Sequence, residues 1–225
     1  DPIGLHSNIS EFPLNFEVLD NIYNTIKICK SLLDDSTSLI GFAGAPFTVA
    51  SYMCEGGSSK DLKKTKQILF SHPIFFHELL EKITSITIEY LHKQVIAGAE
   101  ALQLFDTWIN HLDWDSCNEF SSNYIKVIVN ELRNRGVTVP ITFFGKHTGL
   151  FFPLYETTGI NAISFDWSTN LVNTHSQLNS TIAIQGNLDP YLLYSNKDII
   201  QKKVLEICKS IPKSTFFLIL TFSFI

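Results

Sequence analysis

Cysteine is sparse in this 225-residue chain, and Cys29, Cys54, Cys117 and Cys208 stand far apart with no C-x-x-C pair. Such spacing makes neither a zinc knuckle nor a disulfide framework. Four buried thiols in a reducing compartment are expected instead. Basic charge is also short, with 17 Lys and Arg against 22 Asp and Glu and a formal net charge of -5. Without a basic field, nucleic acid is not an expected partner, and an anionic substrate needs locally placed cations. No apolar run approaches the roughly 18 residues of a membrane-spanning helix. The opening DPIGLHSNISEFP has no basic n-region and no apolar h-region, so a cytoplasmic protein with no membrane partner is expected. Missing too is any Ser/Gly linker or charge block, and residues 1–225 read as one domain.

What is present is an alternation of short apolar runs with longer stretches of helical period, the pattern of repeated β/α units. An amphipathic helix is expected over 16–34, on Phe16, Leu19, Ile22, Ile26 and Leu33, followed by a strand over Ser38–Phe42 and a Gly44-Ala45-Pro46 turn. The longest helical pattern covers 73–97, with Pro73 in its first turn, Leu79, Ile83, Ile86 and Tyr90 on one stripe, and Gly98 at its end. Strands follow at 101–105, 139–144, 162–165 and 182–184. A helix carrying Phe120, Tyr124, Val127, Ile128 and Leu132 ends at Gly136, and others are expected near 150–157, 169–178 and 197–210. Residues 214–225 form a divergent, uncharged apolar tail, an aggregation hazard unless buried as a strand.

Two α/β architectures fit five or six such units: a doubly wound sheet and a (β/α)8 TIM barrel, here incomplete. A dinucleotide-binding sheet wants G-x-G-x-x-G after a strand, and Gly41-Phe42-Ala43-Gly44-Ala45-Pro46 only echoes it, with proline at the helix-packing glycine. Polar residues instead gather at the C-terminal ends of strands, namely Asp106, Lys146, Asp166 and Gln185, as in barrel enzymes. Asp106, Asp166 and Asp189 each stand where aspartate also caps the following helix or turn. His111 and His147 read as satisfied structural histidines, and no His/Cys/carboxylate spacing suggests a metal.

Four words at these strand ends are specific. Leu39-Ile40-Gly41-Phe42-Ala43-Gly44-Ala45-Pro46-Phe47-Thr48, continuing through Ser51-Tyr52-Met53 to Ser59, is the first, and Ala97-Gly98-Ala99 with Leu102-Gln103-Leu104-Phe105-Asp106-Thr107-Trp108 is the second. Phe165-Asp166-Trp167 and Gln185-Gly186-Asn187-Leu188-Asp189-Pro190 with Leu193-Tyr194 complete the set. Together they resemble the uroporphyrinogen decarboxylase family from about Phe16 to about Pro212. The resemblance implies a (β/α)8 barrel that uses no cofactor and decarboxylates the acetate side chains of uroporphyrinogen III to the methyl groups of coproporphyrinogen III. In that chemistry the pyrrole is the electron sink: its ring α-carbon is protonated, carbon dioxide leaves, and the methylene carbon is then protonated. Tyr52 matches a family tyrosine that contacts a substrate carboxylate or the catalytic aspartate. Thr107 stands where the family has a serine, and its hydroxyl remains a donor to a carboxylate.

Other family parts have no counterpart in this sequence: an R-Q-A-G-R segment that grips substrate carboxylates, an F-S-D-I-L strand whose aspartate binds the pyrrole N–H groups, and an N-L-G-H-G-I loop with a site histidine. The catalytic residues are therefore left unassigned. The expectation is an internal fragment whose activity alone is doubtful, with a homodimer implied for the complete enzyme. A non-catalytic remnant or scaffold, and a corrinoid-linked methyltransferase of related barrel fold, are the alternatives. The second normally brings zinc ligands near strand ends, which the cysteine positions do not support.

Overall fold

In the computed structural model, which describes residues 2–4, 7–11, 16–211 and 216–217, the alternation is realised as β/α units. Helix α1 (Asp20–Leu32) precedes strand β1 (Ile40–Gly44), and helices α2 (Pro46–Glu55), α3 (Lys63–Ser71) and α4 (Pro73–Ala97) lead to β2 (Ala101–Asp106). A 3-10 turn (Thr107–His111), α5 (Trp114–Cys117), a π turn (Asn118–Ser122) and α6 (Asn123–Asn134) then carry the chain to β3 (Ile141–Gly145). Next come α7 (Thr148–Glu156), β4 (Ala162–Ser164), α8 (Leu171–Gln177) and β5 (Ala183–Gln185). A 3-10 turn (Pro190–Tyr194), α9 (Lys197–Ser210) and β6 (Phe216–Phe217) follow.

Every pairing is parallel and the spatial order is the chain order, β1-β2-β3-β4-β5-β6. A doubly wound sheet reverses its order at a switch point; this one never does. The sheet also curls. Gln103 on β2 donates to Gln185 on β5 at 3.3 Å, although two strands lie between them and a flat sheet would set their backbones about 14 Å apart. The side chains meet because they project into the concave side of an arc, so the fold is an incomplete (β/α)8 barrel.

The outer face of the arc is a continuous core under the helices, with Leu102, Leu104, Ile141, Phe143, Ile163 and Ile184 buried. The inner face mixes polar Gln103 and Gln185 with an aromatic row, Phe42, Phe105 and Phe144, in edge-to-face contacts with centroids 6.0 and 5.9 Å apart. Among the described residues β1 pairs only with β2. Buried Gln94 of α4 accepts from the Phe42 N–H and donates to the Phe42 C=O, both at 2.9 Å. An edge strand's backbone thus gains a side-chain partner.

Several expectations shift. β1 begins and ends two residues later than Ser38–Phe42, because Gly41 and Ala43 are the residues small enough to face α4: a Cβ on Gly41 would sit 2.6 Å from Gln94 Oε1. Pro46 opens a helix rather than only a turn, and α3 is a helix with no counterpart in the sequence pattern. Val127 is 51% exposed, off the buried stripe of Tyr124, Ile128 and Leu132. Cys54 and Cys117 are buried, but Cys29 and Cys208 are half-exposed, on helices at the surface. The expected apolar tail lies outside the described residues except for Phe216–Phe217, which pair with β5. No helix among the described residues is long and apolar enough to cross a membrane.

The loop after β5 depends on Gly186. Its φ is 126°, and an added Cβ would collide with the Phe165 carbonyl. Gly186→Ala is expected to cost about 1–3 kcal/mol or more, read as a lower urea midpoint with an unchanged m-value.

Candidate functional site

Helix α2 lacks a capping side chain at its own N-terminus, where Ala45 precedes Pro46. The missing acceptor comes from the neighbouring strand. Asp106, at the end of β2, accepts from the Thr48 N–H at 3.0 Å and from the Thr48 hydroxyl at 2.6 Å. Its other oxygen accepts from Ser121 of the π turn at 2.5 Å. Asp106 therefore caps a helix, but the preceding one rather than the one after it, which corrects the sequence expectation. The Thr48 hydroxyl also accepts from the Trp108 N–H at 3.2 Å. One buried carboxylate thus locks α2, the end of β2 and the first residues of the next turn together.

The network extends inward. Ser121 lies 2.8 Å from the Tyr155 hydroxyl, which is 3.3 Å from Cys117 Sγ, and the Tyr155 ring stacks on Phe143 at 3.9 Å. Burial dominates the titration of every member. It lifts Asp106 to about 6 despite three hydrogen bonds to the charged form, lifts Cys117 to about 12, and pushes Tyr155 well above its ordinary value. The Cys117 thiol is neutral and unreactive at physiological pH.

On this frame sit the two residues singled out by sequence. Tyr52 lies on α2 one turn beyond Thr48, 42% exposed, with its ring edge-on to Trp108 at 5.9 Å. Gly56 (φ 81°) ends the helix just after it, and the N–H groups of Gly56 and Gly57 both bond to the Tyr52 carbonyl. Thr107 is half-buried between Asp106 and Trp108, and neither its hydroxyl nor that of Tyr52 has a hydrogen-bond partner among the described residues. Trp108, 7% exposed, joins them. Sequence reasoning passes over it, since a buried tryptophan reads as core unless its neighbours are known. Around the same ring lie His111 (centroids 5.7 Å apart) and the Lys146 ammonium, 5.3 Å from the centroid.

The remaining strand-end residues serve the loops. Asp166 accepts from the His147 N–H at 2.6 Å and from the Ser168 N–H and hydroxyl at 3.1 and 2.5 Å. Asp189 accepts from the Tyr191 N–H at 2.9 Å. Both are capping roles, as expected. Asn187 donates to the carbonyls of Asp166 and Thr169, tying the β5 loop to the β4 loop. Gln185 faces the barrel interior rather than the rim. His111 is held below its ordinary pKa, first by burial and then by Lys66 and Lys146, with Asp61 opposing.

Asp106 has a pH signature. Its pKa is about 6 in the folded chain against an ordinary 3.8, so the native state binds this proton more tightly than the unfolded one. That contribution to stability is fully present below about pH 4 and is lost as pH rises through 6. Urea midpoints measured across this window should fall for the parent chain, and Asp106→Asn should flatten that component.

The sequence model of the uroporphyrinogen decarboxylase (URO-D) family matches residues 7–221, beginning earlier and ending later than the motif resemblance. Uroporphyrinogen decarboxylase of Ruthia magnifica subsp. Calyptogena magnifica is 34% identical over 219 residues, which are 96% of this chain and 63% of that protein. The Aliivibrio salmonicida protein of that name is 38% identical over 84% of this chain and 54% of its own. The Coxiella burnetii one is 37% identical over 90% and 57%. The chain thus spans between half and two thirds of the length of these curated relatives. A methyltransferase from Methanosarcina mazei superposes with a TM-score of 0.79 over 94% of this chain and 63% of its own. At 13% identity it shares the fold alone. With a family match over nearly the whole length and relatives above the 30% level, the chain belongs to the uroporphyrinogen decarboxylase family.

Proposed function

We propose that this chain is the central part of a uroporphyrinogen decarboxylase barrel, a single partial domain. It acts within a cofactor-free carboxy-lyase that converts the acetate side chains of uroporphyrinogen III to the methyl groups of coproporphyrinogen III in haem biosynthesis. Tyr52 and Thr107 are two of its substrate-binding groups. The observation that carries this reading is that Tyr52, packed edge-on against Trp108, and Thr107, next to Trp108 in the chain, come from different β/α units to the strand C-termini, where barrel enzymes place their sites, with hydroxyls that have no hydrogen-bond partner among the described residues. The same reading makes the protein cytoplasmic, and a homodimer when the barrel is complete.

The chemistry asks for little beyond placement and charge. Each decarboxylation consumes one proton overall and releases one carbon dioxide, with the pyrrole ring taking the electron pair of the breaking C–C bond. Hydroxyl donors at the rim hold the carboxylates that do not react and fix which acetate meets the proton donor. The aromatic row beneath, Phe42, Phe105 and Phe144, offers an apolar wall on which the leaving carboxylate is poorly solvated.

Equilibrium binding of uroporphyrin to the purified chain, followed by porphyrin fluorescence, tests the reading. Tyr52→Phe keeps the ring against Trp108, and Thr107→Ala removes a small side chain. Each should weaken binding by about 0.5–1.5 kcal/mol, the net worth of one hydrogen bond. Affinities unchanged in both variants would remove these residues from the site.

A further inference from the structure

Lys146 follows β3 directly and is half-buried. Like most lysines among the described residues it forms no ion pair, whereas Lys30, Lys93, Arg135 and Lys203 each pair with a glutamate. Lys146 rests over the Trp108 ring, 5.3 Å from its centroid, a cation–π contact that holds the ammonium at the rim. Two carboxylates of the same strand-end rim are engaged elsewhere. Asp106 is fully buried and bonded to Thr48 and Ser121, and Asp166 is bonded to His147 and Ser168.

A second cation shares this neighbourhood. Lys66 and Lys146 both act on His111 as like charges, with Asp61 opposing them. In a chain of net charge -5, cations brought together at a strand-end rim beside two unbonded hydroxyls form a site built for an anion. We propose that Lys146 is a substrate-binding residue that pairs with a carboxylate of the macrocycle, with Trp108 as the platform that holds it in place. The inference rests on the porphyrinogen reading above and adds to it a charged group that determines specificity for a polycarboxylate. Lys146 is a point charge with three donors and no planar preference, so it tolerates the changing set of side chains as acetates become methyl groups.

The test is uroporphyrin binding by the full chain, comparing the parent with Lys146→Gln, Lys146→Arg and Tyr52→Phe, with thermal unfolding recorded alongside. Lys146→Gln removes the charge and the cation–π contact but stays folded, and thermal unfolding should show no more than the small loss of one such contact. It should bind about tenfold more weakly, the low end for a hydrogen bond to a charged group, and with a shallower salt dependence. Lys146→Arg should stay within about threefold of the parent, since the charge and the cation–π contact are retained. Parent-like binding by Lys146→Gln, with Tyr52→Phe weakened, would overturn the role of Lys146 and leave the porphyrinogen reading standing. A parent chain that folds but shows no saturable uroporphyrin binding would overturn both.

Discussion

A single buried carboxylate organises the rim of this barrel. Asp106 is fully excluded from solvent, and it spends its two oxygens on the N-terminus of α2 and on the π turn before α6. Burying a charge is costly unless hydrogen bonds replace its water, and the three made here offset that cost only in part, since burial still lifts the pKa to about 6. Those bonds decide where α2 starts and how it is tilted onto the strand end. They therefore decide where Tyr52 lies with respect to Thr107 and Trp108. The π turn is the corresponding irregularity on the other side: its extra residue per turn presents Ser121 to Asp106 while Phe120 and Tyr124 stay in the core.

The structure has two layers of different character. Outside the sheet, helices pack on a dry core of leucine, isoleucine and phenylalanine. Inside it, the residues alternate between polar pairs such as Gln103 and Gln185 and a row of aromatic rings. A singly wound parallel sheet makes that division natural, because right-handed crossovers place all helices on one side and the other side becomes the concave interior. The groups that meet a ligand then collect at the C-terminal strand ends, where each strand hands over to a loop. Kinship with the uroporphyrinogen decarboxylases fits this arrangement, and the shared fold with an archaeal methyltransferase at 13% identity shows how much chemistry the same scaffold admits.

Much of this is legible in the sequence, and the reasons are physical. The bounds of helix α4 can be read directly because Pro73 and Gly98 are strong local signals that tertiary contacts do not override. The parallel sheet comes from β/α alternation, while the barrel order over a doubly wound one comes from the polar strand ends and the family words. The features that escape depend on non-local partners. α3 is short and polar, and near its N-terminus the Thr65 N–H donates to Glu55 from the preceding helix at 2.8 Å, a contact no local pattern announces. Asp106 reads as a cap for the next helix because the sequence names its neighbours along the chain, not across the sheet. Val127 fits the apolar period of α6, but the register is set by the π turn before it. Tyr52 and Thr107 emerge from motif resemblance, whereas Trp108 and Lys66 gain meaning only once the strands are side by side.

The central claim is that two hydroxyls and a tryptophan, held by Asp106, form the ligand-binding rim of the barrel. An experimental structure of this chain with bound coproporphyrin addresses it most directly. The account predicts the macrocycle over the strand C-termini beside Trp108, with propionate oxygens within hydrogen-bond distance of the Tyr52 and Thr107 hydroxyls. A macrocycle seated among the outer helices, with that rim empty, would contradict it.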